Sequence, residues 1–284
     1  MPSLRDLRRR IRSVQNMRKI TKAMELVAAA RMRRAQERVV NARPYSEEIA
    51  SIMAELMKRS PQYKHPYLQV REVKARVLIL VTADRGLCGA LNSNNIRLAL
   101  REMNASAAPV AVVTIGRKGR DVIHRLRRNL IADRSELGDK PTIGDILPAV
   151  RVALEQYESG EADQVDVIFA RFISIGRQEA TVRRVIPVEP PEQVHALAAD
   201  FEYEPDPKDV LDALLPRYCE AQVYQAVLEN AASEQAARMV AMRNATDNAT
   251  EFIDDLTLTA NKVRQATITT ELMEIVGGAA ALEG

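Results

Sequence analysis

Residues Leu214 to Thr267 read LLPRYCEAQVYQAVLENAASEQAARMVAMRNATDNATEFIDDLTLTANKVRQAT. Alternating steps of four and three from Leu214 land on Leu214, Tyr218, Ala221, Gln225, Leu228, Ala232, Gln235, Met239, Met242, Thr246, Ala249, Ile253, Leu256, Ala260, Val263 and Thr267. That 3.5-residue period is the seam of a coiled coil. The surrounding stretch, Asp209 to Ala281, has no glycine before Gly277 and only Pro216 near its start. As one helix it reaches about 100 Å at about 1.5 Å per residue. Ala, Thr and Gln share the seam with Met, Leu and Ile. Small residues admit a partner helix closely but bury little apolar area per turn, so the helix needs support along its length.

The partner lies at the other end of the chain. Leu4, Leu7, Ile11, Val14, Thr21, Met24, Ala28, Met32, Ala35, Val39 and Ala42 follow a similar mixture of steps. No helix breaker intervenes between Pro2 and Pro44, and Ser3 followed by Asp6 forms an N-terminal cap. The helix is expected to pass Pro44, with a kink or a fresh start there, and to end near Lys58. Residues 1–43 carry thirteen Lys or Arg against three Asp or Glu, whereas residues 239–284 carry three against seven. Opposite signs favour association, though each exposed pair is worth about 0–1 kcal/mol; two separately solvated faces are the alternative. Since the chain must return to its start, the two helices run antiparallel.

Between them the texture changes. Arg76–Thr82 (RVLILVT) reads as a buried strand and Val110–Ile115 as a second. Val165–Ser174 and Thr181–Val188 follow, with Asn129–Asp133 as a short strand. Helical segments are expected at Ala90–Met103, Arg117–Leu126 and Ile143–Tyr157. Strands alternating with helices imply a mostly parallel sheet. The Ile175–Gln178 connection is short enough for an antiparallel hairpin at one edge. The expected architecture is α/β: a long antiparallel two-helix coiled coil plus a doubly wound middle domain. Its divisions are 1–58 N-terminal helix, 59–73 linker, 74–205 Rossmann-like α/β domain and 206–284 C-terminal helix. Sparse aromatics and the absence of Trp suit helix-on-helix packing. Two distant cysteines suit a reducing compartment. The longest apolar run, Val77–Val81, is far short of a membrane span.

A doubly wound sheet raises the question of a nucleotide. Thr82-Ala83-Asp84-Arg85-Gly86-Leu87-Cys88-Gly89-Ala90 places two glycines at a strand-to-helix turn, where backbone amides can hold a phosphate. The spacing matches neither GxGxxG nor GxxxxGK[ST], so a structural turn is the favoured interpretation. Gly116-Arg117-Lys118-Gly119-Arg120 also lacks the pattern. His65, His124 and His195 have no metal-ligand spacing. Cys88 is the best-placed nucleophile, because a helix N-terminus lowers a thiol pKa, but no His can be paired with it. The basic stretch of the first helix, with Arg8, Arg9, Arg10 and Arg12, carries no aromatic residue for base stacking, which weighs against nucleic acid. What is left is mechanical: an object that acts by touching other proteins.

Three motifs then resemble a known family. Ile20–Ala30 (ITKAMELVAAA) is similar to the amino-terminal signature of the γ subunit of F-type, proton-translocating ATP synthases. Thr82–Asn92 (TADRGLCGALN) resembles that family's first strand and turn. Ser233–Asn248 (SEQAARMVAMRNATDN), Asn261–Ala266, Ile268–Glu271 and the stretch from Glu274 to Ala279 resemble its carboxyl end. The resemblance covers the chain in order and is weaker beyond residue 92 in the middle domain. It implies a central rotor shaft inside a ring of α and β subunits. The α/β body would sit with ε on the membrane c-ring, δ would belong to the same complex, and proton-driven rotation would cycle the β sites through ATP synthesis or hydrolysis. It implies no catalytic residue, cofactor or metal in this chain, only regulation of ATPase activity and proton flow. Arg264, Gln265 and Thr269 correspond to a polar contact with a β loop and Arg238 to a second. Met24 is expected to face the same zone from the other helix. Phe201, Tyr203 and Glu204 correspond to the foot near the c-ring and ε. The long paired-cysteine insertion of the chloroplast branch is missing. A bacterial origin is therefore expected, at the cytoplasmic face of the plasma membrane and peripheral to it. The competing interpretation is an α/β enzyme that binds a nucleotide or other small molecule and carries a helical oligomerisation arm.

Overall fold

The computed structural model describes residues 3–59, 65–188 and 207–283. The chain forms two compact units, one of Ala28–Arg238 and one of Met1–Val27 with Met239–Gly284. Helix α1 (Leu4–Arg59) and helix α5 (Pro207–Glu283) contribute to both. Pro44 lies inside α1 without ending it.

In the larger unit the apolar runs become strands. They are β1 (Arg76–Val81), β2 (Val110–Ile115), β3 (Leu130–Arg134), β4 (Gln164–Ser174) and β5 (Arg177–Ile186). The sheet order is β3-β2-β1-β4-β5. All pairings are parallel except β4 with β5, the hairpin edge. RVLILV has no alternation because β1 is central and covered on both faces. On one face Leu78, Leu80, Val112 and Ile168 meet α2 (Leu91–Ala105) and α3 (Arg117–Arg125). On the other, Val77, Ile79, Val113, Val167 and Phe169 meet α4 (Ile143–Glu158), Ile49, Met53 and Leu56 of α1, and residues 211–227 of α5. Thr142 and Asp145 cap α4 reciprocally. Asp166, on buried β4, is answered from both neighbouring strands, by Arg76 at 2.7 Å and Arg184 at 3.3 Å.

In the smaller unit the two helices run antiparallel. Thr21 and Thr246 share a hydroxyl hydrogen bond of 2.8 Å, and Leu7 packs on Leu256 and Ala260. Residue numbers rise along one helix as they fall along the other. Met242, Ala249, Ile253, Leu256 and Ala260 are buried, so the period read from the sequence is the contact itself. Ser3 and Asp6 form the expected cap; Asp6 accepts the Ser3 hydroxyl at 2.7 Å and returns its own N–H at 3.2 Å. The charge complementarity is used sparingly. Among the described residues one ion pair crosses between the helices here, Arg243 to Glu25 at 3.6 Å. Arg8, Arg9, Arg10 and Arg12 lie off the seam and are exposed.

Candidate partner-contact surface

Leu4 is level with Val263 in this antiparallel register. Beyond Val263, α5 therefore has no length of α1 beside it, and side chains 264–277 are exposed. Ile268, Leu272, Ile275 and Val276 follow helical spacing, so this exposed end carries an apolar stripe. Arg264 is exposed on the same segment and has no side-chain partner among the described residues. Thr269 lies one turn after Gln265 and donates its hydroxyl to the Gln265 carbonyl at 2.9 Å. Thr267 and Thr270 do the same to Val263 and Ala266. Nearer the seam Thr246, Thr250 and Thr257 also turn their hydroxyls onto their own helix.

Met24 is half-buried. Met17, Ile20 and Val27 are exposed at steps that include Met24, giving α1 a second apolar stripe off the seam, edged by Lys19 and Lys22. The register corrects one expectation. Thr21 opposes Thr246 and Glu25 pairs with Arg243, which places Met24 about twenty residues, or about 30 Å, from Arg264 along the pair. Met24 and Arg264 do not share a zone; the sequence contained both motifs but not the register between them.

Arg238 lies in the larger unit and is buried. It pairs with Glu234 at 2.7 Å and donates to the Gly86 carbonyl at 3.1 Å. Both Arg238 and Glu234 line a cleft of about 340 Å³ at the carboxyl ends of the strands, with Arg31, Arg85, Arg117 and Asp139. Its charges answer one another: Arg31 holds Asp139 at 2.8 Å and Arg117 holds Glu136. Burial pushes the Glu234 carboxyl up, opposed by Arg238.

The turn after β1 is knit to its own helix α2 and to the start of α3. Ala83 N–H donates to Asn92 Oδ1 (2.9 Å), Arg117 N–H to Asp84 Oδ1 (2.9 Å) and Gly119 N–H to Thr82 Oγ1 (2.8 Å). Gly116, at φ 107°, passes so close to Thr82 that an added Cβ would lie 2.0 Å from its carbonyl oxygen. Strand order reverses beside β1, and a doubly wound sheet holds ligands in the crevice there, between β1 and β4. Here α5 fills it. Asn230 Oδ1 accepts from the Ala170 amide and from Asn95 Nδ2, each at 3.0 Å. Asn95 Nδ2 also reaches the Val81 carbonyl at 3.0 Å, and Ser233 donates to the Ala170 carbonyl at 2.8 Å.

Cys88 is buried, and burial followed by the nearby Glu234 charge raises its thiol pKa. That reverses the activation expected from its place before a helix, because removal from water outweighs the helix end. His65 and His124 are far apart in sequence, and His195 lies outside the described residues. No cluster of three or more potential metal ligands occurs among the described residues. No helix there is long and apolar enough to cross a membrane. Phe201, Tyr203 and Glu204 also lie outside the described residues. Asn95, Asn230 and Ser233 were not singled out from the sequence. Their signal was a second set of small or polar positions on α5, Ala226, Asn230, Ser233 and Ala237, offset from the seam.

A family model described as ATP synthase matches residues 3–282. The ATP synthase gamma chain of Herpetosiphon aurantiacus is 50% identical over 293 residues, covering 99% of each chain. A chain in the central stalk and c-ring structure of Tetrahymena thermophila mitochondrial ATP synthase aligns with TM-score 0.62 and 26% identity. That alignment covers 80% of this chain and 99% of the other. A chain in the OSCP/F1/c-ring structure of Euglena gracilis mitochondrial ATP synthase shares the fold, with TM-score 0.66 and 19% identity over 98% and 94% of the two chains.

Proposed function

Because the chain belongs to the ATP synthase gamma-chain family, we propose that it is the central rotor shaft of such a complex, coupling rotation of a membrane c-ring to the nucleotide cycle of an α/β ring. The observation that carries this is likeness along the whole chain to gamma chains. It is joined by an exposed apolar stripe on the end of α5 that lacks α1 beside it and needs a partner to cover it. In this reading ε and the c-ring meet the foot that includes Phe201, Tyr203 and Glu204, and δ belongs to the same complex. The chain is non-catalytic, and sits peripherally at the cytoplasmic face of a bacterial plasma membrane.

The mechanism is differential contact. A shaft shifts a neighbouring site only by interacting unequally with that site's two forms. Swinging a site from 1:99 to 99:1 takes about 5.5 kcal/mol of difference. Exposed Arg264 suits an acidic loop, since a guanidinium and a carboxylate form paired hydrogen bonds. Gln265 and Thr269 flank it, and Met24 offers an apolar contact from α1. Arg238, buried with its guanidinium held by Glu234 and Gly86, can join them only by giving up those bonds.

The test is reconstitution with α, β and ε subunits. A Gly176→Cys variant carries a bead at the hairpin tip, where an added side chain meets nothing within 4 Å. ATP-driven turning of the bead is expected, and the isolated chain should not saturate with Mg-ATP. Failure to co-assemble, or micromolar saturation of the isolated chain, would favour the enzyme reading instead.

A further inference from the structure

We propose that Asn230 and Ser233 of α5, with Asn95 of α2, form a torque clamp that fixes the rotational setting of α5 on the sheet. The proposal rests on the shaft reading above and concerns how a twisting load passes from the α/β body into the helix.

A load that turns the body must enter the long helices through their contacts with the sheet. Most of the α5 contact is apolar: Leu211, Leu215, Val223, Ala226 and Val227. Apolar contact is strong but non-directional, so it resists separation better than rotation of a helix about its own axis. Hydrogen bonds of fixed geometry supply the missing direction. The bracket has three such bonds from α5: two accepted by Asn230 Oδ1, from the Ala170 amide and Asn95 Nδ2, and one donated by Ser233 to the Ala170 carbonyl. Asn95 carries the bracket on to the Val81 carbonyl, so α5 is tied to the last residue of β1 and to β4 just past the stretch that pairs with β1.

These groups are dry. Asn95 and Ser233 are 0% exposed and Asn230 is 3% exposed. Water cannot readily replace a bond broken by rotation, so turning α5 leaves buried donors and acceptors unpaired. Asn95 Oδ1 has no partner among the described residues, a cost accepted so that its amide hydrogens face two carbonyl-type oxygens. The small side chains Ala226 and Ala237, on the same face of α5, keep the helix close to the strand ends. By contrast, α1 meets this body through apolar Ile49, Met53 and Leu56 and through exposed polar bonds, Arg31 and Arg38 to Asp139. The structure thus makes α5 the stiff entry for torque. Asn230, Ser233 and Asn95 act as positioning residues for the β sites, without touching a nucleotide.

The experiment uses the reconstituted complex with the bead attached through the Gly176→Cys substitution. Asn230→Ala removes two of the three tethers, and thermal angular variance scales inversely with stiffness. The variance of bead angle within each dwell is therefore expected to rise, by up to about threefold. Ser233→Ala, which fits its site without strain, gives a smaller rise, and Ser233→Thr restores the wild-type width. Val223→Ala is the control: it lowers the thermal midpoint by removing apolar contact but leaves the width unchanged. Widths in Asn230→Ala and Ser233→Ala that match wild type, or that merely track thermal stability as in Val223→Ala, overturn the clamp. Should Asn230→Ala not assemble, Ser233→Ala and its Thr rescue decide the matter. A wild-type bead that never turns refutes the shaft reading and the clamp together; a turning bead of unchanged width refutes the clamp alone.

Discussion

His65 begins the single turn Pro66–Leu68, accepting the Tyr67 N–H on Nδ1 at 3.0 Å. That bond requires a bare nitrogen. Burial, opposed by Asp212 and Glu158, holds the imidazole below its ordinary pKa of 6.5. A His depressed in the folded state contributes its stability in full above the unfolded value. That stability falls as pH drops below about 6.5 and levels off under the folded value. Thermal midpoints of the isolated chain should therefore decline as pH is lowered from about 7.5 to about 5, and His65→Gln should flatten the decline. An equal slope in the variant removes His65 as its cause. None of this was legible in the sequence, where His65 is one polar residue in a proline-bearing linker. Its partners Asp212 and Glu158 arrive from α5 and α4.

At the scale of elements, the two-helix pair depends on few large side chains. Leu7 is 2% exposed against Leu256 and Ala260, near the start of α1. Leu7→Ala should cost about 2 kcal/mol, the low end for a buried Leu because little surrounds it. The loss should be local: amide exchange in the first turns of α1 rises while sheet amides keep their protection. Uniform loss of protection would mean that the pair and the sheet unfold as one. The seam was legible because a contact with one helix leaves one stripe, and Met242, Ala249, Ile253, Leu256 and Ala260 keep strict spacing. The strands were legible because central ones are continuously apolar. The Asn230 bracket was hidden, because residues 226–230 are buried in succession and the spaced set from Ala226 to Ala237 is submerged in a helix covered nearly all round.

For the whole molecule the prediction concerns coupling. Arg264 is exposed and unpaired among the described residues, so Arg264→Ala should leave folding and assembly intact. Loss of a charge-assisted bond to a partner carboxylate should reduce ATP-driven proton pumping about tenfold. Unchanged pumping and hydrolysis would remove Arg264 from the contact set. The family was legible from motifs at both ends of the chain; the relative level of Met24 and Arg264 was not, since no local pattern encodes how far one helix slides along another. The threonines of α5 carry a last consequence. Thr267, Thr269 and Thr270 bond to carbonyls of their own helix, so each spends its hydroxyl proton within the helix. A polar-looking stretch therefore offers a partner few hydroxyl protons. Away from Arg264, a collar closed around it would find few directional bonds to break as the angle changes, so the axle would slip between its polar settings with little drag.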